Sequence, residues 1–160
     1  MVSHDSTTIA FDRSGGGPPV VIVGAGPTDR RAHQPLAALL AHRCTVFNFD
    51  RRGRGDSGDT APYTVDREYE DLAAVIGEAG GSARVFGDSG GGILALEAAA
   101  RGLPITKLAV WEPPIAIDGQ NGDCRIGATT SAGMPTAWVR NSSTMSPRRP
   151  AADSLPSCSR

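Results

Sequence analysis

Between about Thr7 and Ile115 the chain alternates short β-branched runs with longer stretches of helical period, and that alternation is its strongest structural signal. Thr7 to Asp12 suits a first strand, stopped by the turn-forming run Ser14-Gly15-Gly16-Gly17-Pro18-Pro19. Val20-Val21-Ile22-Val23 is a continuous apolar run closed by Gly24, the pattern of a strand buried on both faces of a parallel sheet. Residues 32–42 (AHQPLAALLAH) suit a short helix, with Pro35 in the first turn, where a missing N–H costs little. Cys44 to Phe49 is a further strand. Val65, Tyr69, Leu72, Ile76 and Ala79 recur at spacings of three and four, which sets them on one helical face ended by Gly80-Gly81. Ala83 to Phe86 reads as a strand, Gly90 to Arg101 as a helix, Gly102-Leu103-Pro104 as a stop and Ile105 to Trp111 as a last strand. Strands alternating with helices in this way predict an α/β fold, a parallel sheet with helices on both faces.

The pattern ends near Ile115. From Asp118 onward roughly four in ten residues are Ser, Thr, Gly or Pro and no apolar period survives, the composition of a chain that does not form a core. The expected organisation is a partial α/β domain over residues 1–117, incomplete at its C-terminal side, and a disordered or out-of-frame tail over 118–160. Translating the coding DNA in the other two frames tests the frame-shift explanation. On this reading the last strand, Ile105 to Trp111, is expected to present an unpaired apolar edge.

Composition narrows the functional classes. The 160 residues suit about one domain, and a formal net charge of -1 with mixed signs gives no electrostatic case for nucleic acid or an anionic membrane. The N-terminus lacks a basic and apolar leader pattern, and no segment approaches the roughly 18 apolar residues of a membrane span, so a cytoplasmic protein is expected. Cys44, Cys124 and Cys158 are odd in number and far apart, which suggests neither a disulfide framework nor a zinc site, and no metal or cofactor is called for.

Two glycine-rich strand ends compete to define the chemistry. Val20 to Asp29 (VVIVGAGPTD) has the opening of a dinucleotide-binding fingerprint, but Asp29 stands where its third glycine would be and sets a carboxylate against a pyrophosphate. Asp50 ends the next strand but is followed by Arg51-Arg52-Gly53-Arg54-Gly55, which that fingerprint does not predict. The second strand end is Arg84 to Ala95 (RVFGDSGGGILA). Its GDSGG is similar to the nucleophile segment of trypsin-like proteases, but one buried strand before Ser89 and an alanine-rich helix after it are the wrong surroundings for two antiparallel barrels. A strand, a sharp turn and a helix are what the G-x-S-x-G nucleophile elbow needs, with Gly87 and Gly91 as the small neighbours that let helix and strand approach. Without chemistry, the same residues would make a Gly-rich helix start capped by Ser89.

At this point the chain resembles the α/β-hydrolase fold family. Val20 to Gly26 with its following loop, Asp50 to Ser57 (DRRGRGDS) as a D-x-R-G-x-G-x-S loop, and Gly87 to Gly91 carry the resemblance in the family's order, and Trp111-Glu112-Pro113-Pro114 is similar to the end of the strand after the elbow helix. The resemblance implies Ser89 as nucleophile toward an ester, amide or similar bond in a small-molecule substrate. It implies an oxyanion hole from the N–H of Gly90 and an N–H of the earlier loop, Gly26 before Ala25. Asp50 and Arg52 are expected to be scaffold. The family's order of serine, then acid, then histidine breaks here: His4, His33 and His42 all precede Ser89 and none follows it. His4 is expected to fray with the terminus, and His33 and His42 to face solvent or helix-end carbonyls. Glu112, Asp118 and Asp123 are candidate acids by position only. The expectation is a hydrolase of low or no activity in this chain, with a non-catalytic α/β domain binding a small molecule or partner as the alternative.

Overall fold

The computed structural model describes residues 1–114 and the backbone of 137–140. Six strands form one sheet in the order β1-β3-β2-β4-β5-β6: β1 is Phe11–Gly15, β2 Pro19–Val23, β3 Thr45–Phe49, β4 Ala83–Asp88, β5 Ile105–Trp111 and β6 Ala137–Arg140. β1 runs antiparallel to β3 and every other pairing is parallel. Three helices connect the parallel strands: α1 (Gln34–Ala41), entered through a 3-10 turn at Arg30–His33, α2 (Val65–Glu78) and α3 (Gly90–Ala100). This is the α/β architecture the alternating pattern predicts.

Alternation along the strands divides the core between two faces. Ile22 and Val46 turn toward α1, where Ala37, Leu36 and Leu40 cover them with Phe86 at the margin. Val21, Val23, Phe47 and Val85 turn the other way, against Tyr69, Leu72, Val75 and Ile76 of α2 and Leu94, Ala95 and Ala98 of α3. Among the described residues no helix is long and apolar enough to cross a membrane.

Four local expectations change. The first strand forms later than Thr7–Asp12, because the backbone of Thr8 and Ala10 is bonded to the Asp50–Gly58 loop: Gly58 N donates to Thr8 O and Asp50 N to Ala10 O, at 2.8 and 2.9 Å. The run Ser14–Gly15 does not stop the strand. Gly15, with φ of +76°, instead passes so close to the Ala41 and Cys44 carbonyls that a Cβ would stand 2.3 to 2.4 Å from them. The strand after α2 runs on to Asp88, two residues past Phe86. The edge of β5, expected to be unpaired, carries β6 in parallel register from Leu108↔Ala137 to Trp111↔Arg140; Ala137-Trp138-Val139 is a short strand-prone run. The rest of the expected tail, 118–136 and 141–160, lies outside the described residues, as do 115–117.

Candidate active site

β4 ends in the turn that the elbow motif predicts. Ser89 sits between Asp88, the last residue of β4, and Gly90, the first of α3, with φ of 50° and ψ of -119°. A non-glycine side chain there is strained and persists only where its surroundings hold it. The holds are visible. Ser89 N donates to Trp111 O on β5 at 2.8 Å, and Ser89 O accepts from Gly92 N at 2.9 Å, closing the turn. A Cβ on Gly87 would stand 2.6 Å from Gly92 Cα, and one on Gly91 would stand 2.3 and 2.4 Å from the carbonyl oxygens of Val23 and Gly24. The two elbow glycines are thus fixed by backbone-to-backbone contact, Gly87 across the turn itself and Gly91 against the end of β2.

That second contact brings the loop after β2 to the start of α3. The position a Gly90 Cβ would take lies 3.7 Å from Gly26 N. The direction of the Gly26 N–H follows from its own peptide: the Ala25 carbonyl accepts from Thr28 N at 3.3 Å and from Thr28 Oγ1 at 3.2 Å, so the N–H across that peptide faces away from Thr28. The N–H groups of Gly26 and Gly90 donate to no acceptor among the described residues. They lie at the N-terminus of α3, where the helix dipole favours negative charge.

The Asp50–Ser57 loop supports this arrangement from behind. Asp50 is fully buried and accepts from Arg30 N at 2.6 Å and Asp56 N at 2.8 Å, besides pairing with the Arg30 guanidinium. Arg51 makes a two-pronged pair with Glu68 of α2 (2.5 and 2.8 Å) and reaches Gly24 O at 3.5 Å; Arg54 donates from Nε to Gly26 O. Arg52 is buried between Asp71 and Asp5. Burial pushes the Glu68 carboxyl up, but the hydrogen bonds from Arg51 and Tyr63 and the charges of Arg51 and Arg54 outweigh it and leave the group below its usual range. Hydrogen bonds from Arg52 and Thr7 likewise hold Asp5 well below the carboxylate range. Asp29 accepts from Arg31 N at 2.9 Å as the cap of the 3-10 turn. Asp29, which stood where the fingerprint's third glycine would be, is thus taken up as a cap, and Asp50 is taken up inside the fold.

The histidines separate. His4 is exposed, 3.9 Å from Glu70, and His42 is exposed at the end of α1. His33 differs from expectation: it is buried, and its Nε2 lies 2.9 Å from Asp88 Oδ2, next to Ser89 in the chain. Fifty-five residues separate the pair, and no local period announces it. Glu112 follows β5 directly, exposed and at φ of 44°; Asp118 and Asp123 lie outside the described residues.

Known proteins share this fold. The alpha/beta hydrolase family matches residues 14–157. The chain is 34% identical over 108 residues to the lipase LipV of Mycobacterium tuberculosis, a match covering 64% of this chain and 40% of that protein. The crystal structure of an alpha/beta hydrolase from Sphaerobacter thermophilus superposes with a TM-score of 0.73 at 62% identity, over 74% of this chain and 46% of that one. An ancestral haloalkane dehalogenase superposes with a TM-score of 0.62 at 26% identity, over 69% and 40%. The chain therefore spans less than half the length of these relatives. With the extent of the family match, the parallel sheet and the strand-to-helix turn at Ser89, the chain belongs to the alpha/beta hydrolase family.

Proposed function

We propose that this chain carries the nucleophile and the oxyanion donors of a serine hydrolase acting on an ester, amide or similar bond of a small-molecule substrate. The observation that carries the reading is the strained backbone of Ser89, φ 50° and ψ -119°, held between β4 and α3. In this reading Ser89 Oγ attacks the carbonyl carbon, the new C–O bond forms, and the carbonyl electron pair moves to oxygen. The N–H groups of Gly90 and Gly26 donate to that oxyanion, with Ala25 N–H the next nearest donor in sequence. The lipase named among the relatives supports an ester as the bond class.

The Ser89 proton needs an acceptor, and within these 160 residues no histidine follows Ser89. Loss of the histidine in such a triad costs on the order of 10⁶ in turnover and leaves about 10³ to 10⁴ over water from oxyanion donors and binding. The chain by itself is accordingly a slow hydrolase whose chemistry is best read by covalent capture. A fluorophosphonate probe is expected to label the wild-type chain slowly and the Ser89→Ala variant not at all. Absence of labelling in the wild type, or equal labelling in Ser89→Ala, overturns the reading and leaves an α/β domain that binds small molecules without reacting with them.

A further inference from the structure

The buried His33 is not used by the proposed chemistry, and its surroundings assign it another role. Side chains two apart on a strand share a face, and Phe86 belongs to the face of β4 covered by α1, so Asp88 belongs to it as well. On β2, which pairs with β4 at Ile22↔Phe86, Ile22 lies on that face and Gly24 follows two residues on. His33 is the last residue of the 3-10 turn before α1 and enters between these two strand ends. The ring packs closely on Gly24: a Cβ there would stand 3.3 Å from His33 Cε1 and 3.4 Å from Nδ1. The imidazole thus lies against the backbone of the Gly24 loop on one side and bonds Asp88 on the other.

We propose that His33 is a positioning residue for the elbow, its Nε2–H donating to Asp88 Oδ2 and tying the residue before Ser89 to the loop that holds Gly26. The proposal rests on Ser89 being the nucleophile for its catalytic meaning, though not for its mechanical one. Asp88 as a carboxylate only accepts, so Nε2 carries the hydrogen and, in the neutral ring, Nδ1 bears the lone pair. Nδ1 is buried and has no partner among the described residues. A residue present only to fill this space would be apolar and leave no such atom unsatisfied. What the imidazole adds over an apolar side chain is the bond to Asp88. The strained Ser89 peptide is held by the β5 hydrogen bond at its N–H. His33 supplies a second hold through the Asp88 side chain, and so limits the rotation of the 88–89 peptide that would relax the strain.

Three variants of the full chain test this: His33→Phe, which fills the space without a donor, His33→Gln, whose amide restores one, and Asp88→Ala, which removes the acceptor and leaves the ring. Two measurements are made on each, the fluorophosphonate reaction resolved into its binding constant and its maximal inactivation rate, and hydrogen exchange of the amides of residues 84–92. In His33→Phe the maximal rate is expected to fall about tenfold with binding unchanged within twofold, and elbow exchange to quicken; His33→Gln should recover most of both. Asp88→Ala should match His33→Phe, and the double variant should lose no more than either single one, as expected for a pair acting as a unit. Should His33→Phe not fold, Asp88→Ala with exchange decides alone. Unchanged elbow exchange in the folded variants overturns the proposal, as does exchange that His33→Gln fails to restore. Quickened exchange in a chain whose wild type takes no label upholds the positioning role and instead sinks the nucleophile reading.

Discussion

A Cβ at Gly91 would stand 2.3 Å from the Val23 carbonyl oxygen, whereas in the neighbouring loop the whole Arg52 side chain is buried between Asp71 and Asp5. The elbow and the arginine loop are held by opposite means. The first depends on missing side chains, so that strand, turn and helix backbones touch and the start of α3 comes close to Gly26 N. The second depends on long charged side chains, each matched by a carboxylate, whose pairing spans the segments around the sheet end. They meet at two carbonyl oxygens, those of Gly24 and Gly26, which accept from Arg51 and Arg54. Close backbone packing sets distances without needing charge. Buried ion pairs fix orientation at the cost of depending on every partner's ionisation.

The largest effect should come from breaking the charged side. Glu68→Gln leaves the buried Arg51 without its counter-charge and is expected to cost about 3–5 kcal/mol in urea unfolding at neutral pH. Because the Glu68 carboxyl is held below its ordinary value of 4.5, its contribution is complete above that value and is lost as the pH falls through the depressed one. The gap between wild type and variant should therefore close in acid; a gap that stays constant would mean that ionisation is not what holds this loop. Gly91→Ala comes next, at about 3 kcal/mol from overpacking, and here the loss should be the same at every pH. Normal stability in that variant would break the contrast between the two regions.

A smaller effect tests the tie between α2, which supplies the carboxylates of the arginine loop, and α3, which begins at the elbow. Tyr69 of α2 donates to Glu97 of α3, and burial together with that bond pushes the phenol up to about 12. Tyr69→Phe should cost about 1 kcal/mol. The raised value means that the contribution is present below the ordinary 10.0 and disappears as the pH rises through about 12, which alkaline unfolding of the two proteins can follow. The smallest effect is expected at Gly26, where an added Cβ meets nothing within 4 Å. Gly26→Ala keeps its N–H and should change stability by less than about 0.5 kcal/mol, with fluorophosphonate labelling unaltered. A large loss there would mean that Gly26 is needed for its backbone freedom as well as its donor.

What could be read in advance divides along the same line. The glycine-built region announces itself locally, since Gly87-x-Ser89-x-Gly91 and the Val20–Gly26 run each carry strand, turn and spacing within a few residues. The α2 face was legible only in its apolar part. Tyr69, Leu72 and Ile76 are buried as their period predicts, but Val65 is 47% exposed, and Glu68 and Asp71 are buried on the strength of arginines contributed by a distant loop. A period of apolar residues cannot register a buried carboxylate whose partner lies elsewhere in the chain. The same limit hid His33: nothing around residue 33 indicates that Asp88 awaits its ring. The antiparallel pairing of β1 escaped for a related reason, because its partner β3 lies beyond β2 and α1 in the chain yet sits between β1 and β2 in the sheet.

The place of β2 in the sheet also sets when the serine can take up its conformation. β2 lies between β3 and β4, and its pairing with β4 joins Val20 to Arg84, while the amide of Ser89 waits for a carbonyl on β5. Parallel pairings between distant segments form slowly, since the intervening chain must be ordered before they are rewarded. In refolding, helices α1 and α2 should therefore appear well before a protein that a serine probe can label, and the delay between the two measures how late in assembly reactivity arises.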